Sequence, residues 1–186
     1  MDQVVAGCRL ARRYGVAAVS VRPTDVTRVR EELEGSGVLP ATVVGFPHGA
    51  NRTELKILEA ELATRDAARE LDMVLNIGRL LSSDFDFVEN DIRAVVDAAH
   101  EHGVIVKVIF ETCYLTDEMK IAACRISESA GADFIKTATG FGPGGTVISD
   151  VVLMRNSLGP RVRVKAAGGI RTLDALLPVL RAGAVY

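Results

Sequence analysis

The chain has 186 residues, 22 of them basic and 24 acidic, and a net charge of −2. At about 100–200 residues per domain this is a single domain, residues 1–186, and a 48% hydrophobic fraction can fill a core, which excludes disorder as the main state. No basic run supports a nucleic-acid or membrane-surface role, no apolar run has membrane-spanning length, and Asp2, Arg9, Arg12 and Arg13 argue against a signal peptide.

The spacing of apolar residues predicts a helix over Asp2–Tyr14, with no strand before it. Six β-rich runs then follow at Ala17–Val21, Ala41–Phe46, Leu71–Ile77, Ile105–Phe110, Phe134–Ala138 and Val162–Ala166, starting about 24–35 residues apart. Stretches of helical periodicity separate them. In Phe87–Ala99, Val88, Ile92, Val95, Val96 and Ala99 fall on one face, while Glu89, Asp91 and Arg93 are expected to face water. Gly15, Gly103 and Gly131 each precede a strand, where a glycine can take the left-handed cap that ends a helix. Arg181–Tyr186 repeats that signal and reads as the entry to a further strand.

Strand–helix alternation argues for an α/β fold with a parallel sheet and right-handed crossovers. Six units, with a strand expected before the first and another starting after the last, sum to the (β/α)8 TIM barrel. The expectation is therefore such a barrel lacking its first strand and most of its last, shortened at both ends. A doubly wound open sheet is the alternative, because periodicity does not separate the two.

In either architecture the active site lies at the C-terminal ends of the strands, so polar residues late in strands matter most. Only five of the basic residues are lysines. Lys56 and Lys120 are expected on solvated helices. Lys107, Lys136 and Lys165 interrupt apolar strands. Lys136 and Lys165 lie on successive strands, each just before glycines. Parallel neighbours are about 4.8 Å apart, so the two amines are expected to meet. Like charges in a poorly hydrated place do not both ionise easily, and an uncharged amine attacks carbonyls to form a Schiff base. A purely structural lysine paired with Asp72 or Glu111 is the competing account.

Asp72 would be costly in its apolar strand unless paired, and alternation puts Val74 and Asn76 on its face. Lys107 is expected to pair with Glu111 or Asp72. Gly168 and Gly169 form either a phosphate cradle or a tight turn before a helix that Thr172 can cap. The run from Gly140 to Gly145 formally matches a dinucleotide fingerprint, but Pro143 removes a donor and no acid ends the next strand. His100 and His102 suit a helix end, and His48 is expected in solvent. Cys8, Cys113 and Cys124 have no metal or disulfide spacing and fit a reducing cytosol; Cys113 is expected to be a small core residue. No metal constellation stands out.

The runs Asp133–Gly140, Val164–Thr172, Glu70–Gly78, Val43–Gly49 and Lys107–Cys113 together resemble the signatures of the deoxyribose-phosphate aldolases, in order and over essentially the whole chain. The resemblance implies a (β/α)8-barrel class I aldolase. Such an enzyme reversibly cleaves 2-deoxy-D-ribose 5-phosphate to D-glyceraldehyde 3-phosphate and acetaldehyde, with no metal or other cofactor. It implies Lys136 as the Schiff-base lysine, Lys165 as the second lysine that eases its deprotonation, and Asp72 as the aspartate of the proton relay. Thr139, Gly168 and Gly169 fall where the family contacts substrate or its phosphate. A cytoplasmic enzyme of deoxyribonucleotide and carbohydrate breakdown, as a homo-dimer or tetramer, is expected. The chain departs from the family in its terminal strands, in Ser20 where cysteine is common, and in Ala138 and Ala167 where serine is frequent. Those departures keep a second reading open, a non-catalytic barrel remnant that binds phosphorylated metabolites. A Schiff-base aldolase with another acceptor is a third.

Overall fold

The computed structural model describes residues 2–185. In chain order the elements are α1 (Asp2–Tyr14), β1 (Ala18–Ser20), α2 (Val26–Leu33), β2 (Leu39–Val44), α3 (Thr53–Arg65), β3 (Glu70–Val74), α4 (Ile77–Leu81), α5 (Phe85–His100), β4 (Ile105–Ile109), α6 (Asp117–Ser129), β5 (Phe134–Lys136), α7 (Ile148–Asn156), β6 (Arg163–Lys165) and α8 (Leu173–Arg181). Short 3-10 turns lie at Pro23–Asp25 and Thr112–Tyr114. All six expected strands are present, most of them shorter than the apolar runs that announced them.

The six strands form one parallel sheet in sequence order, β1-β2-β3-β4-β5-β6. A doubly wound sheet needs a reversal in that order, so this alternative falls. In a parallel sheet of this sequential order, right-handed crossovers put the connecting helices on one side. On that side Leu71 and Met73 of β3, Val106 and Val108 of β4, Ile135 and Val164 belong to one buried core with Val88, Ile92, Val95 and Val96 of α5. On the other side Glu70, Asp72 and Val74 alternate with them, and so do Lys107 and Ile109. This second face carries no helix, yet Val74 and Ile109 are fully buried. The sheet achieves this by curling into a half-barrel. After β6, Ala184 bridges Val164 in parallel, and Val185 N–H donates to the Val164 carbonyl at 2.8 Å. Tyr186, the last residue of that expected strand entry, lies outside the described residues.

The predicted punctuation is realised in the backbone. Gly15, Gly103, Gly131 and Gly183 all take positive φ. Thr172 caps α8 by accepting from Ala175 N–H at 3.2 Å. Asn76 does not continue β3 beside Asp72; it caps α4 instead, accepting from Arg79 N–H at 3.1 Å. At Gly49, with φ +68°, a Cβ would stand 1.8 Å from the Leu75 carbonyl oxygen, so the loop after β2 crosses the end of β3 only because that position is glycine.

Three charges expected in solvent are buried. Lys56 of α3 reaches Asp91 of α5 at 2.6 Å with both side chains inaccessible. Lys56 also donates to the Val74 carbonyl at 3.0 Å, and Asp91 accepts from the Thr53 hydroxyl at 2.7 Å. Lys120 of α6 reaches Asp150 of α7 at 2.7 Å. Helical periodicity counts a lysine as polar and hence outward. It has no register for a charge whose partner sits on the next helix of the same ring. Removing one member strands the other. Lys56→Met should lower unfolding free energy in urea by about 3–5 kcal/mol, and adding Asp91→Leu should restore most of it. Equal stability of the single and double variants would show that a stranded Asp91 is not what destabilises Lys56→Met.

Candidate active site

The site residues come from alternating positions on the helix-free face. Pairing aligns Asp72 with Lys107, and Lys136 with Lys165. The two late-strand lysines therefore stand at equal height on adjacent strands. Lys136 Nζ donates to Asp72 Oδ2 at 2.7 Å, and Lys165 Nζ lies 3.6 Å from the same oxygen. Both amines thus share one carboxylate oxygen. Lys107 approaches the other oxygen, Oδ1, at 3.2 Å and donates to Glu70 at 2.5 Å. Lys107 therefore pairs with Asp72, as one expectation had it, and not with Glu111. Its second partner, Glu70, was missed. The signal was available, since Glu70 and Asp72 are two apart on an apolar strand and must share a face.

Three lysines and two carboxylates make a cluster that carries net charge unless one amine is neutral. A charge held out of water is costly, so burial favours the balanced state. Burial would raise Asp72, but Lys136, Lys107 and Lys165 overcome it and bring its carboxyl down to about 2. Burial also pushes the Lys165 ammonium below its ordinary range; Asp72 opposes this, and the Lys107 and Lys136 cations add to it. The arrangement can therefore keep an anion fixed between two amines, one of which gives up its proton readily.

The loops after β5 and β6 are clipped to each other. Thr137 and Thr146 hydroxyls both donate to the Ala167 carbonyl, at 3.0 and 2.7 Å, and Thr146 N–H donates to the Gly168 carbonyl at 3.0 Å. At Gly168, with φ +97°, a Cβ would lie 3.1 Å from Gly145 Cα, so this glycine answers to the close approach of the two loops. Gly169, with φ +80°, faces open space. Of the two, Gly169 leaves its surroundings free for a ligand.

Thr139 is held from below. Its N–H donates to Glu111 Oε2 at 3.1 Å, its hydroxyl donates to the same oxygen, and Phe141 N–H donates to that hydroxyl at 3.0 Å. Glu111 is buried at the end of β4 in a left-handed conformation, φ 55°. A non-glycine residue held there marks a place where surrounding contacts dictate the backbone. Glu111 thus supports the loop after β5 and does not pair with Lys107. The tip of that loop packs edge-on against the loop after β2, with Phe141 and Phe46 ring centroids 5.3 Å apart. A groove of about 690 Å³ beside this contact is lined by Ser20, Val21, Val43, Phe46 and Phe141, and by none of the five lysines. His48 shares a small cavity with Glu111, Tyr114 and Thr139. Cys113 is exposed, contrary to expectation, because the chain turns out of the sheet right after β4. No group of metal-ligating side chains occurs among the described residues.

A family model described as "DeoC/LacD family aldolase" matches residues 1–184. The deoxyribose-phosphate aldolase of Thermococcus kodakarensis is 50% identical over 185 residues, covering 98% of this chain and 83% of its own. That of Caldanaerobacter subterraneus is 50% identical over 184 residues, covering 98% and 80%. Among solved structures, the deoxyribose phosphate aldolase of Aeropyrum pernix, described as a unique tetramer, superposes with a TM-score of 0.90 at 31% identity, covering 98% of this chain and 77% of that one.

Proposed function

We propose that this chain, which belongs to the DeoC/LacD family of aldolases, reversibly cleaves 2-deoxy-D-ribose 5-phosphate to D-glyceraldehyde 3-phosphate and acetaldehyde through a Schiff base on Lys136. The observation that carries the reading is the shared carboxylate oxygen, Asp72 Oδ2, 2.7 Å from Lys136 and 3.6 Å from Lys165.

Lys136 must lose a proton before it can attack. Asp72 is the short path for it, and Lys165, which burial pushes toward the neutral amine, is the acceptor. The Lys136 nitrogen then adds to the C1 aldehyde carbon, and the former carbonyl oxygen leaves as water. The protonated imine draws in the electron pair of the C2–C3 bond, since acetaldehyde keeps two carbons. The C3 hydroxyl loses its proton and becomes the aldehyde of glyceraldehyde 3-phosphate. The remaining enamine takes a proton at C2, and hydrolysis of its imine frees acetaldehyde. Thr139 and the turn at Gly168 and Gly169 are proposed to hold the substrate and its phosphate, so that remote binding positions the reacting carbons.

The six strands are proposed to be consecutive strands of a (β/α)8 barrel within one domain. Their sequential order and the parallel bridge from Val164 to Ala184 support this. A cytoplasmic, homo-oligomeric enzyme is the accompanying proposal. The three cysteines are free, no helix of the described residues is long and apolar enough to cross a membrane, and the Aeropyrum relative is described as tetrameric.

The test is release of glyceraldehyde 3-phosphate from the sugar phosphate, measured against pH in the wild type and in Lys165→Arg. The arginine can keep an ion pair with Asp72 but stays protonated at every working pH. It should lower kcat/KM by about 10²–10⁴-fold and remove the acidic limb set by Lys165. An unchanged profile would rule out Lys165 as the proton acceptor. Absence of sugar-phosphate cleavage in the wild type would rule out the reaction.

A further inference from the structure

The division of cations between lysine and arginine follows burial. All five lysines are in ion pairs: Lys56 with Asp91, Lys107 with Glu70 and Asp72, Lys120 with Asp150 and Asp117, and Lys136 and Lys165 with Asp72. Their side chains are 0, 0, 9, 9 and 18% exposed, in the order Lys56, Lys107, Lys120, Lys136, Lys165. The open surface is served by arginine, with Arg22, Arg52 and Arg65 at 76, 81 and 67%. Lysine is ordinarily a residue of the surface and is fully buried only when paired; here all five are drawn inward into such pairs, Lys165 least.

The two cations differ in one reaction that matters here. A lysine amine can lose its proton and condense with an aldehyde. Its nitrogen lone pair forms the C–N bond, both nitrogen protons leave with the carbonyl oxygen as water, and an imine remains. A guanidinium stays protonated above pH 12 or so and offers no comparable lone pair. We propose that placing arginine outside and lysine only in buried or largely buried ion-paired positions confines imine formation with simple aldehydes to the inner face of the half-barrel, at Lys136 and, next to it, Lys165. The inference rests on the aldolase reading for its purpose, since an enzyme that releases an aldehyde meets it at its own surface. The partition itself is a property of the fold, whatever the reaction.

The experiment is reductive trapping on the full chain. Native protein is incubated with acetaldehyde and cyanoborohydride, which reduces each imine to a stable two-carbon adduct. Adducts are counted by intact mass and placed by peptide mapping, with the α-amine scored separately. Arg65→Lys supplies an exposed lysine as an internal standard, and urea-unfolded chain supplies the unprotected rate. Lys56, Lys107 and Lys120 should label at least about a hundredfold more slowly in the native chain than in urea, since reaction there requires local opening. The lysine introduced in Arg65→Lys should label at similar rates in both. Native labelling of Lys56, Lys107 or Lys120 at the rate of that introduced lysine overturns the proposal. The aldolase reading is tested by separate signals, Lys136 labelling and turnover of the sugar phosphate. If those fail while Lys56, Lys107 and Lys120 stay protected, the partition stands and the reaction falls.

Discussion

Lys136→Met should abolish turnover of 2-deoxy-D-ribose 5-phosphate while leaving the fold nearly as stable as before. Methionine fills the same volume and cannot form an imine. Removing the group that carries a covalent intermediate costs about 10⁴-fold or more in kcat where such groups have been deleted. Stability should change little for a reason specific to this cluster. Asp72 keeps Lys107 at 3.2 Å and Lys165 at 3.6 Å after Lys136 is gone. The remaining two lysines then balance Glu70 and Asp72. The check is kcat from a coupled assay beside a urea titration of both proteins. Activity within tenfold of wild type would assign the Schiff base elsewhere. A collapse of stability would mean that Lys136 is chiefly structural.

The two late-strand lysines were legible because alternation and glycine placement are short-range signals. A parallel sheet in sequence order then does the rest, and their register partnership follows from strand order alone. The burial of Lys56, Asp91 and Lys120 is hidden from the sequence for a complementary reason. Their partners lie on neighbouring helices 30 and 35 residues away in sequence, and polarity patterns see only one helix at a time. Glu111 departs from its expected place beside Lys107 because its backbone leaves the strand in a left-handed turn. Alternation counted it on the Lys107 face, whereas the turn aims its carboxylate at Thr139. The contact between Phe46 and Phe141 had no signal at all, since it joins the tips of two loops. Local periodicity therefore locates the strands and brings Lys136 and Lys165 side by side. What it withheld was the set of contacts made between separate strand–helix units.

Asp72→Asn should damage both activity and stability, because this one carboxylate serves three cations. The amide keeps the shape and loses the charge, leaving Lys107, Lys136 and Lys165 with Glu70 as the only anion in the cluster. Breaking a buried ionic set by removing one member costs about 3–5 kcal/mol. Loss of the proton path should cost about 10²–10⁴-fold in kcat. The pH dependence gives an independent sign. The folded state holds Asp72 at about 2, below its ordinary value of 3.8. A depressed carboxyl stabilises the fold above 3.8, and that contribution fades as pH falls toward 2. It amounts to about 2 kcal/mol at neutral pH, and Asp72→Asn should lack that part of the acid sensitivity. If Asp72→Asn is too unstable to purify, Asp72→Asn with Lys165→Met removes one positive charge and returns the cluster to its original net charge. The double variant should regain much of the lost stability and none of the lost activity. Urea midpoints at neutral and acid pH, with kcat for each protein, decide it. Recovery of activity together with stability would make Asp72 a structural counter-ion and nothing more.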